Sequence, residues 1–319
     1  MGAYRLKFDI VTPSFNQVRY LRETIESVLS QECTDVEVSY YIMDGGSTDG
    51  SADLIRLYEA RLAYWRSEQD EGQAAAIAEG LAMGDGEIIA WINSDDAYPP
   101  GAFEKIVECF ESNSKIDVIY GDCLMIDERS NPVGLSTHIP VSWQDLFETP
   151  YLINQEATFV RRGLYEKVGG VDSSFWGAMD YDFWLRVFHE GQSYYLPEVL
   201  GTHRIIPEQK SSTSERYIGE MRQARAKFAV RYAYPLPPWP ASQGGWERVK
   251  NNWERHWASI LEWIKRGCPQ SDFTGTVQDI WRRYAQTGVL SVRGGTSYKW
   301  VGPEALYVLD REVVGPTIE

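Results

Sequence analysis

Two adjacent carboxylates, Asp95 and Asp96, stand behind the apolar run E-I-I-A-W-I at residues 87–92, separated from it only by Asn93 and Ser94. A buried strand needs a core, whereas carboxylates need water or a cation, so a strand that stops on such a pair makes either a chemical site or a solvated turn. Pro99 and Pro100 suit the turn, where Asp is an ordinary residue. The other strand ends favour the site. Short apolar runs also lead into T-P-S-F-N at 12–16, D-G-G-S-T-D-G at 44–50 and S-E-Q-D-E-G-Q at 67–73. In an open α/β sheet, ligands bind outside the carboxyl ends of the strands. Thr12, Asp44, Asp70 and the Asp95/Asp96 pair therefore converge on one crevice. Carboxylates gathered there repel one another unless a cation or polar ligand groups lie between them. A hard divalent cation facing a phosphorylated ligand is the chemistry this pattern implies.

Such convergence requires alternating strands and helices, and the first 130 residues supply them. Strands are predicted at 7–12, 36–43, 62–66, 87–92 and 117–120, the last ending in Gly121-Asp122. Helices are predicted at 17–31, 51–60, 73–83 and 99–112. Val18, Leu21, Ile25, Val28 and Leu29 mark one face of the first helix. This alternation predicts an α/β fold with a mostly parallel sheet flanked by helices. Residues 123–161 are less regular and mix strands with loops. A helix at 180–190, one or two strands at 194–206 and a helix at 213–232 follow. P-L-P-P-W-P-A-S-Q-G-G at 235–245 is the best linker in the chain. The predicted organisation is a catalytic domain at 1–234, this linker, and a small, mainly helical extension at 246–319 with a short β-like tail at 298–314. Trp246, Val249, Trp253, Trp257, Ile260 and Ile264 recur at helical spacing in the extension and read as packing surface.

Bulk properties narrow the functional class. The chain has 319 residues, 43% hydrophobic and 24% charged, which is ordinary for a globular protein. Its net charge of −15 argues against nucleic-acid partners and against a generic anionic-membrane surface, although a metal or a local Arg can invert the field. Cys33, Cys109, Cys123 and Cys268 form no C-x-x-C and have no His at zinc-ligand spacing, so free thiols in a reducing compartment are expected. No apolar run approaches the ~20 residues of a membrane span, and M-G-A-Y-R-L-K enters a strand without a signal-peptide core. A soluble, cytoplasmic protein is the expectation, with peripheral membrane contact and a homodimer both compatible.

Five segments together resemble glycosyltransferase family 2. T-P-S-F-N-Q, M-D-G-G-S-T-D-G-S, D-E-G-Q-A-A-A-I-A-E-G, W-I-N-S-D-D and G-A-M-D-Y-D-F-W-L-R occur in that family's order and at its usual spacings, across residues 8–212. Each is weak alone; five in order are specific. The resemblance implies the GT-A nucleotide-sugar-binding fold and an inverting enzyme assisted by Mn²⁺ or Mg²⁺. It implies that Thr12 and Pro13 border the nucleotide, that Asp44 contacts the base, and that Asp70 lies near the diphosphate or ribose. It places Asp95 at the ribose, Asp96 on the cation and Asp180 as the catalytic base. The chain departs from the family's commonest pattern at three of these places: Gly45 replaces a second Asp, Asn93 replaces the first Asp of D-x-D, and Met179 replaces Glu. Relatives often carry a metal-assisting His after the Arg of this region, where this chain has Ile206. His203, on the opposite strand face from Arg204, is the remaining imidazole candidate for the metal. Arg204, Lys210 and Ser211 are expected in a mobile loop that closes over the diphosphate. Gln155 and Trp176 are candidates for the acceptor side.

The chemistry suits these assignments. A sugar hydroxyl is a poor nucleophile, so a carboxylate must take its proton as the bond forms. A cation stabilises the charge that develops on the departing diphosphate. The start of a predicted helix favours the ionised form of Asp180. Blander roles stay open: Asp180 as an N-cap, Asp44 and Asp49 as turn residues, Gln155 as a structural hydrogen bond. The donor is expected to be a UDP-sugar and the acceptor a hydroxyl of a glycan or a lipid-linked glycan. No Q-x-x-R-W signature is present, which favours transfer of one residue per encounter. A sugar-nucleotide pyrophosphorylase is disfavoured because T-P-S-F-N lacks a basic, Gly-rich phosphate loop. A non-catalytic nucleotide-sugar-binding module is disfavoured because both Asp96 and Asp180 are retained.

Overall fold

The computed structural model describes residues 5–32, 34–136, 138, 140–148, 152–206, 215–237, 289–292, 296–300 and 306–309. Strands β1 (Leu6–Ser14), β2 (Val36–Asp44), β3 (Tyr64–Ser67) and β4 (Ile88–Trp91) are parallel and lie in the order β3-β2-β1-β4. Helices α1 (Val18–Leu29), α2 (Ser51–Arg56) and α3 (Gln73–Met83) connect them, and α4 (Ala102–Ser112) follows β4. The sheet continues through β5 (Val118–Ile126), β6 (Pro132–Ser136), β7 (Thr158–Arg161) and β8 (Ser193–Arg204). Strand β7 is antiparallel to both β4 and β5, β6 is antiparallel to the second half of β5, and β8 is parallel to β5 along its length. Helices α5 (Trp143–Glu148), α6 (Arg162–Val168), α7 (Met179–Glu190) and α8 (Glu215–Arg231) complete this part. The sheet is mostly parallel with flanking helices, as the alternation predicts.

Both faces of the sheet are covered, which is why its strands read as nearly unbroken apolar runs. Side chains alternate between faces along β1. Phe8 and Ile10 join Leu21, Ile25, Phe103 and Phe110 of α1 and α4. Val11 joins Ile77 of α3, Trp91 of β4, Phe183 and Trp184 of α7, and Phe228 of α8. Burying each such side chain contributes about 1.5–3 kcal/mol. The Trp91 and Trp184 rings stack at 5.3 Å with planes 3° apart. That contact fixes the end of β4 against the helix that carries Asp180.

Strand β5 does not stop at Gly121-Asp122; it runs on to Ile126. The pairing with β8 is bulged at this point, and a Cβ on Gly121 would lie 2.6 Å from Glu198 O, so glycine permits the close approach of β8. Asp122 is buried and accepts hydrogen bonds from Tyr195 Oη at 2.8 Å and His138 N at 3.0 Å. A Gly-Asp pair that looks like a turn is here a bulge with a satisfied carboxyl. Cys109 and Cys123 are free and buried. Among the described residues no helix is long and apolar enough to cross a membrane.

A second, antiparallel sheet is built from β9 (Val289–Val292), β10 (Thr296–Trp300) and β11 (Leu306–Leu309), in the order β11-β10-β9. Most of the predicted linker and the whole Trp246–Ile264 stripe lie outside the described residues.

Candidate active site

The turn after β4 is held from three directions. Asp96 N donates to Asn93 O at 3.1 Å, closing the turn itself. Helix α1 holds it from one side: Thr24 Oγ1 donates to Asp96 O at 2.6 Å and Ser27 Oγ accepts from Tyr98 N at 3.0 Å. Strand β8 holds it from another, through paired backbone bonds between Ala97 and Thr202 and through Arg204 N, which donates to Asp96 Oδ1 at 2.8 Å. Asn93 Nδ2 donates to Asp96 Oδ2 at 3.2 Å, and Asn93 Oδ1 accepts from Gln73 Nε2 at 2.7 Å. The start of α3, which follows the Asp70 loop, is thereby tied to the carboxylate turn.

Asp96 is 1% exposed and faces Glu156 and His203. His203 Nδ1 lies 3.0 Å from Glu156 Oε1 and 3.7 Å from Asp96 Oδ1. The three residues each offer one ligand atom within 4.8 Å of the others. Glu156 sits in the short 3-10 turn Gln155–Ala157 that precedes β7, and Asn154 Nδ2 donates to its other oxygen at 3.4 Å. Burial drives the Asp96 carboxyl well above its usual range, and the Glu156 and Asp95 charges push the same way. Burial likewise raises Asp95. For His203 burial works in the lowering direction, but the Glu156 carboxylate outweighs it and the imidazole is pushed up to about 10. Glu156 is held below its usual value because His203 reverses the effect of its burial.

Asp180 lies in the first turn of α7, partly buried, and accepts Tyr181 N at 2.7 Å. It is not the N-cap, a position held by Ala178. The expectation that the helix start keeps Asp180 ionised is corrected: burial outweighs that effect, and with the Glu156 charge adding, the carboxyl is pushed up to about 7. A carboxyl near 7 is matched to proton abstraction at neutral pH. The segment leading into α7 is held from α8: Glu220 Oε2 accepts N–H bonds from Trp176, Gly177 and Ala178 at 3.1, 2.8 and 3.1 Å.

The remaining predicted residues fall in different places. Pro13 is buried near the end of β1, in register with Met43. Thr12 is fully buried, with its hydroxyl 2.8 Å from Tyr40 Oη, so that side chain belongs to the core rather than to the crevice. Asp44 ends β2, and Asp70 lies in the β3–α3 loop against Gly45. Arg204 is corrected. It is not in a loop but is the last residue of β8, fully buried, with its guanidinium on Asp95 O at 2.7 Å, Asp127 O at 2.9 Å and Glu23 Oε2 at 2.7 Å. It also lies 4.6 Å over the Tyr20 ring. It braces the carboxylate turn. Lys210 and Ser211 lie outside the described residues. The Gln155 amide donates to Trp91 O and accepts from Asn93 Nδ2 at 3.2 Å, which is a brace for the same turn. Trp176 is partly buried, with the Arg216 guanidinium 4.4 Å from its ring. Asp182 pairs with Arg186 at 2.6 Å.

Sequence reasoning missed Glu156 and Glu220. Glu156 carried a usable signal, since N-Q-E-A-T-F sets an acid directly against an apolar strand, as N-S-D-D does. Glu220 carried none: on α8 it reads as a solvated helix charge.

A sequence profile described as glycosyl transferase family 2 matches residues 9–169, just over half of the 319. The chain belongs to glycosyltransferase family 2. It is 28% identical over 219 residues to an uncharacterized glycosyltransferase of Nostoc sp. (strain PCC 7120), covering 64% of this chain and 63% of that one. It is 25% identical over 219 residues to an uncharacterized glycosyltransferase of Rickettsia conorii, covering 66% of this chain and 36% of that protein. Among solved structures, S. aureus TarS 1–349 in complex with UDP-GlcNAc shares the fold at a TM-score of 0.59 and 15% identity, over 79% of this chain and 73% of that one. The Pyrobaculum calidifontis mannosyltransferase PcManGT in complex with GDP-Man and Mn²⁺ does so at 0.53 and 17% identity, over 89% and 84%. The GT-A fold and the glycosyltransferase class follow from these likenesses.

Proposed function

We propose that this glycosyltransferase moves a sugar from a nucleoside-diphosphate donor, a UDP-sugar by preference, to a hydroxyl of a glycan or glycolipid, with inversion at the anomeric carbon. The observation that carries the reading is the grouping of Asp96, Glu156 and His203 at the carboxyl ends of the strands, electrostatically linked to Asp180 through Glu156. The donor set of two carboxylates and an imidazole fits a divalent cation, and the imidazole favours Mn²⁺ over Mg²⁺. Asp96, Glu156 and His203 would hold it. When bound, such a cation neutralises charge on the departing diphosphate. Asp180 accepts the proton of the acceptor hydroxyl. Asp95 and Asp70 serve the nucleoside part, and the Trp91–Trp184 stack holds the metal turn and the base helix in fixed relation. The liganded neighbours named above carry nucleotide sugars, which supports this donor class.

The test is incubation of the full chain with a nucleotide-sugar panel in Mn²⁺ or Mg²⁺, reading nucleoside diphosphate release and the anomeric configuration of the product by NMR. One donor is expected to be consumed in a metal-dependent reaction with inverted product. A retained configuration would overturn the mechanism, and binding without any turnover would favour a non-catalytic module.

A further inference from the structure

We propose that Glu220 of α8 is a positioning residue for the transfer step: it fixes the backbone that leads into α7 and so sets where the Asp180 carboxyl meets the acceptor hydroxyl. The inference rests on the reading of Asp180 as the base, and it gives α8 a part in the reaction.

Helix α7 has no side-chain cap of its own. Its N-cap position is Ala178, with no side-chain hydrogen bond. The N–H groups at a helix start lack intrahelical partners, and a buried N–H left unpaired costs about as much as a lost hydrogen bond. The partner here comes from 42 to 44 residues further along the chain. Glu220 Oε2 accepts from Gly177 N at 2.8 Å and from Trp176 N and Ala178 N at 3.1 Å, and its Oε1 accepts from Trp176 N at 3.0 Å.

The hold is charged and closely packed. The Glu220 side chain is 13% exposed. Burial works to raise its carboxyl, but the N–H bonds from Gly177, Trp176 and Ala178 outweigh burial and hold the group below its ordinary value. Hydrogen bonds to an ionised carboxylate are roughly twice as strong as neutral ones, and the positive end of α7 favours the charge. A Cβ on Gly177 would lie 3.0 Å from Tyr217 Cδ2, so the glycine admits the Tyr217 ring and lets α8 come close enough for Glu220 to reach. Arg216 Nε stands 3.7 Å from Glu220 Oε1, with its guanidinium 4.4 Å from the Trp176 ring.

The earlier part of the same connection is also tied to α8, but differently. Lys227, about two turns beyond Glu220, donates to Asp172 Oδ2 at 2.7 Å and Ser174 Oγ at 3.0 Å and lies 4.5 Å from the Phe175 ring centre. Lys227 grips side chains ahead of the helix, whereas Glu220 grips main-chain atoms up to Ala178. From Ala178 the link to the base is short. Asp182 N donates to Ala178 O at 3.1 Å, an early backbone bond of α7. Asp180 Oδ1 accepts its neighbour's Tyr181 N at 2.7 Å, so the carboxyl follows the helix backbone rather than swinging by itself. A misplacement of about 1 Å can cost roughly 100-fold in rate. Glu220 therefore controls rate, and Lys227 controls stability alone.

The test compares full-chain variants on the donor that the panel identifies, reading kcat, donor KM and amide hydrogen exchange by mass spectrometry. Glu220→Ala should lower kcat by roughly 10- to 100-fold. Its donor KM should stay within about 2-fold, since the lost contact serves the transition state, and amides 176–182 should exchange faster. Glu220→Gln keeps one acceptor oxygen and should fall between the two, because its bonds are about half as strong. Lys227→Met should lower the melting temperature and leave kcat of the folded protein unchanged. An unchanged kcat in Glu220→Ala, a loss confined to donor KM, unaltered exchange at 176–182, or an equal kcat loss in Lys227→Met each overturns the assignment. If Glu220→Ala does not fold, an unchanged kcat in Glu220→Gln overturns it. A wild type that turns over no donor overturns the glycosyl-transfer reading and this inference with it.

Discussion

An ionic cluster stands at each end of β1, and the two are built on opposite principles. At the amino end Asp9 is fully buried, and its Oδ2 accepts Arg162 Nη2 at 2.5 Å and Gly86 N at 2.7 Å. Beside it Lys7 pairs with Asp85, and Arg162 also donates to the carbonyls of Gly86 and Leu81. Two acids meet two bases. A Cβ on Gly84 would lie 2.0 Å from Asp9 Oδ2, so the backbone itself is shaped around this pair. At the carboxyl end Asp95, Asp96, Glu156 and Asp180 meet one imidazole, while the buried Arg204 guanidinium is engaged with Glu23 and backbone carbonyls. The amino-end cluster matches each acid with a base, while Asp9 Oδ1 has no hydrogen-bond partner among the described residues. The unbalanced one gathers more buried carboxylate than base, the charge that the divalent cation of the proposed reading would offset.

The comparison can be broken most sharply at Asp180. Asp180→Asn should leave nucleotide-sugar binding within about 2-fold yet reduce turnover by roughly 10²–10⁴, the usual contribution of a general base. Unchanged turnover would remove Asp180 from that role. At the opposite end, Arg162→Met should cost about 3–5 kcal/mol in urea denaturation, because it strands a buried carboxylate. The folded fraction should keep its kcat. A loss under about 1 kcal/mol would mean that the amino-end pair is not a structural clamp.

Asp96→Asn should behave in the contrary sense. Without metal it should be as stable as the wild type or more so by up to about 2 kcal/mol, since it removes a repelled carboxylate. Adding Mn²⁺ at a hundredfold excess over Kd should stabilise the wild type by about 2.7 kcal/mol and leave the variant unmoved. A metal-free loss like that of Arg162→Met would erase the distinction between the two ends.

The smallest effect is a pH slope at Asp122, which burial pushes up to about 7. An unfolded Asp titrates near ~3.9, so between that value and about 7 the folded chain holds a proton that the unfolded chain releases. Its contribution to stability is therefore full below the unfolded value and is lost as pH rises through the folded one. Asp122→Asn should flatten the fall in stability between pH 5.5 and 8, measured by urea titration at both. Parallel slopes in the two proteins would show that Asp122 does not govern it.

Much of this was legible in the chain. Apolar runs that end in T-P-S-F-N, M-D-G-G, Q-D-E-G and N-S-D-D gave the parallel half of the sheet and the edge where its loops converge, because strand period and turn chemistry are local. The Asp95/Asp96 pair could be named for the same reason, whereas Asp180 and His203 were put forward only through the resemblance to the family's motifs. Residues 123–178 were harder to read. Strand β5 continues through Gly121-Asp122 only because β8 bulges against it, and Arg204 is drawn inward by Glu23, 181 residues away. Glu156 joins Asp96 and His203 because β7 inserts antiparallel beside β4, a pairing that no local pattern announces.

By itself, then, the sequence determined the fold class, the crevice and which acids stand at its rim, since those follow from periodicity and from the residues that end each strand. Only the tertiary structure decided which acids share a charge environment, which carboxylates already have partners, and that Glu220 anchors the segment leading into the helix of Asp180. Those are matters of distance and burial between segments far apart in the chain. The free energy of a charged group depends on neighbours that only the folded chain supplies.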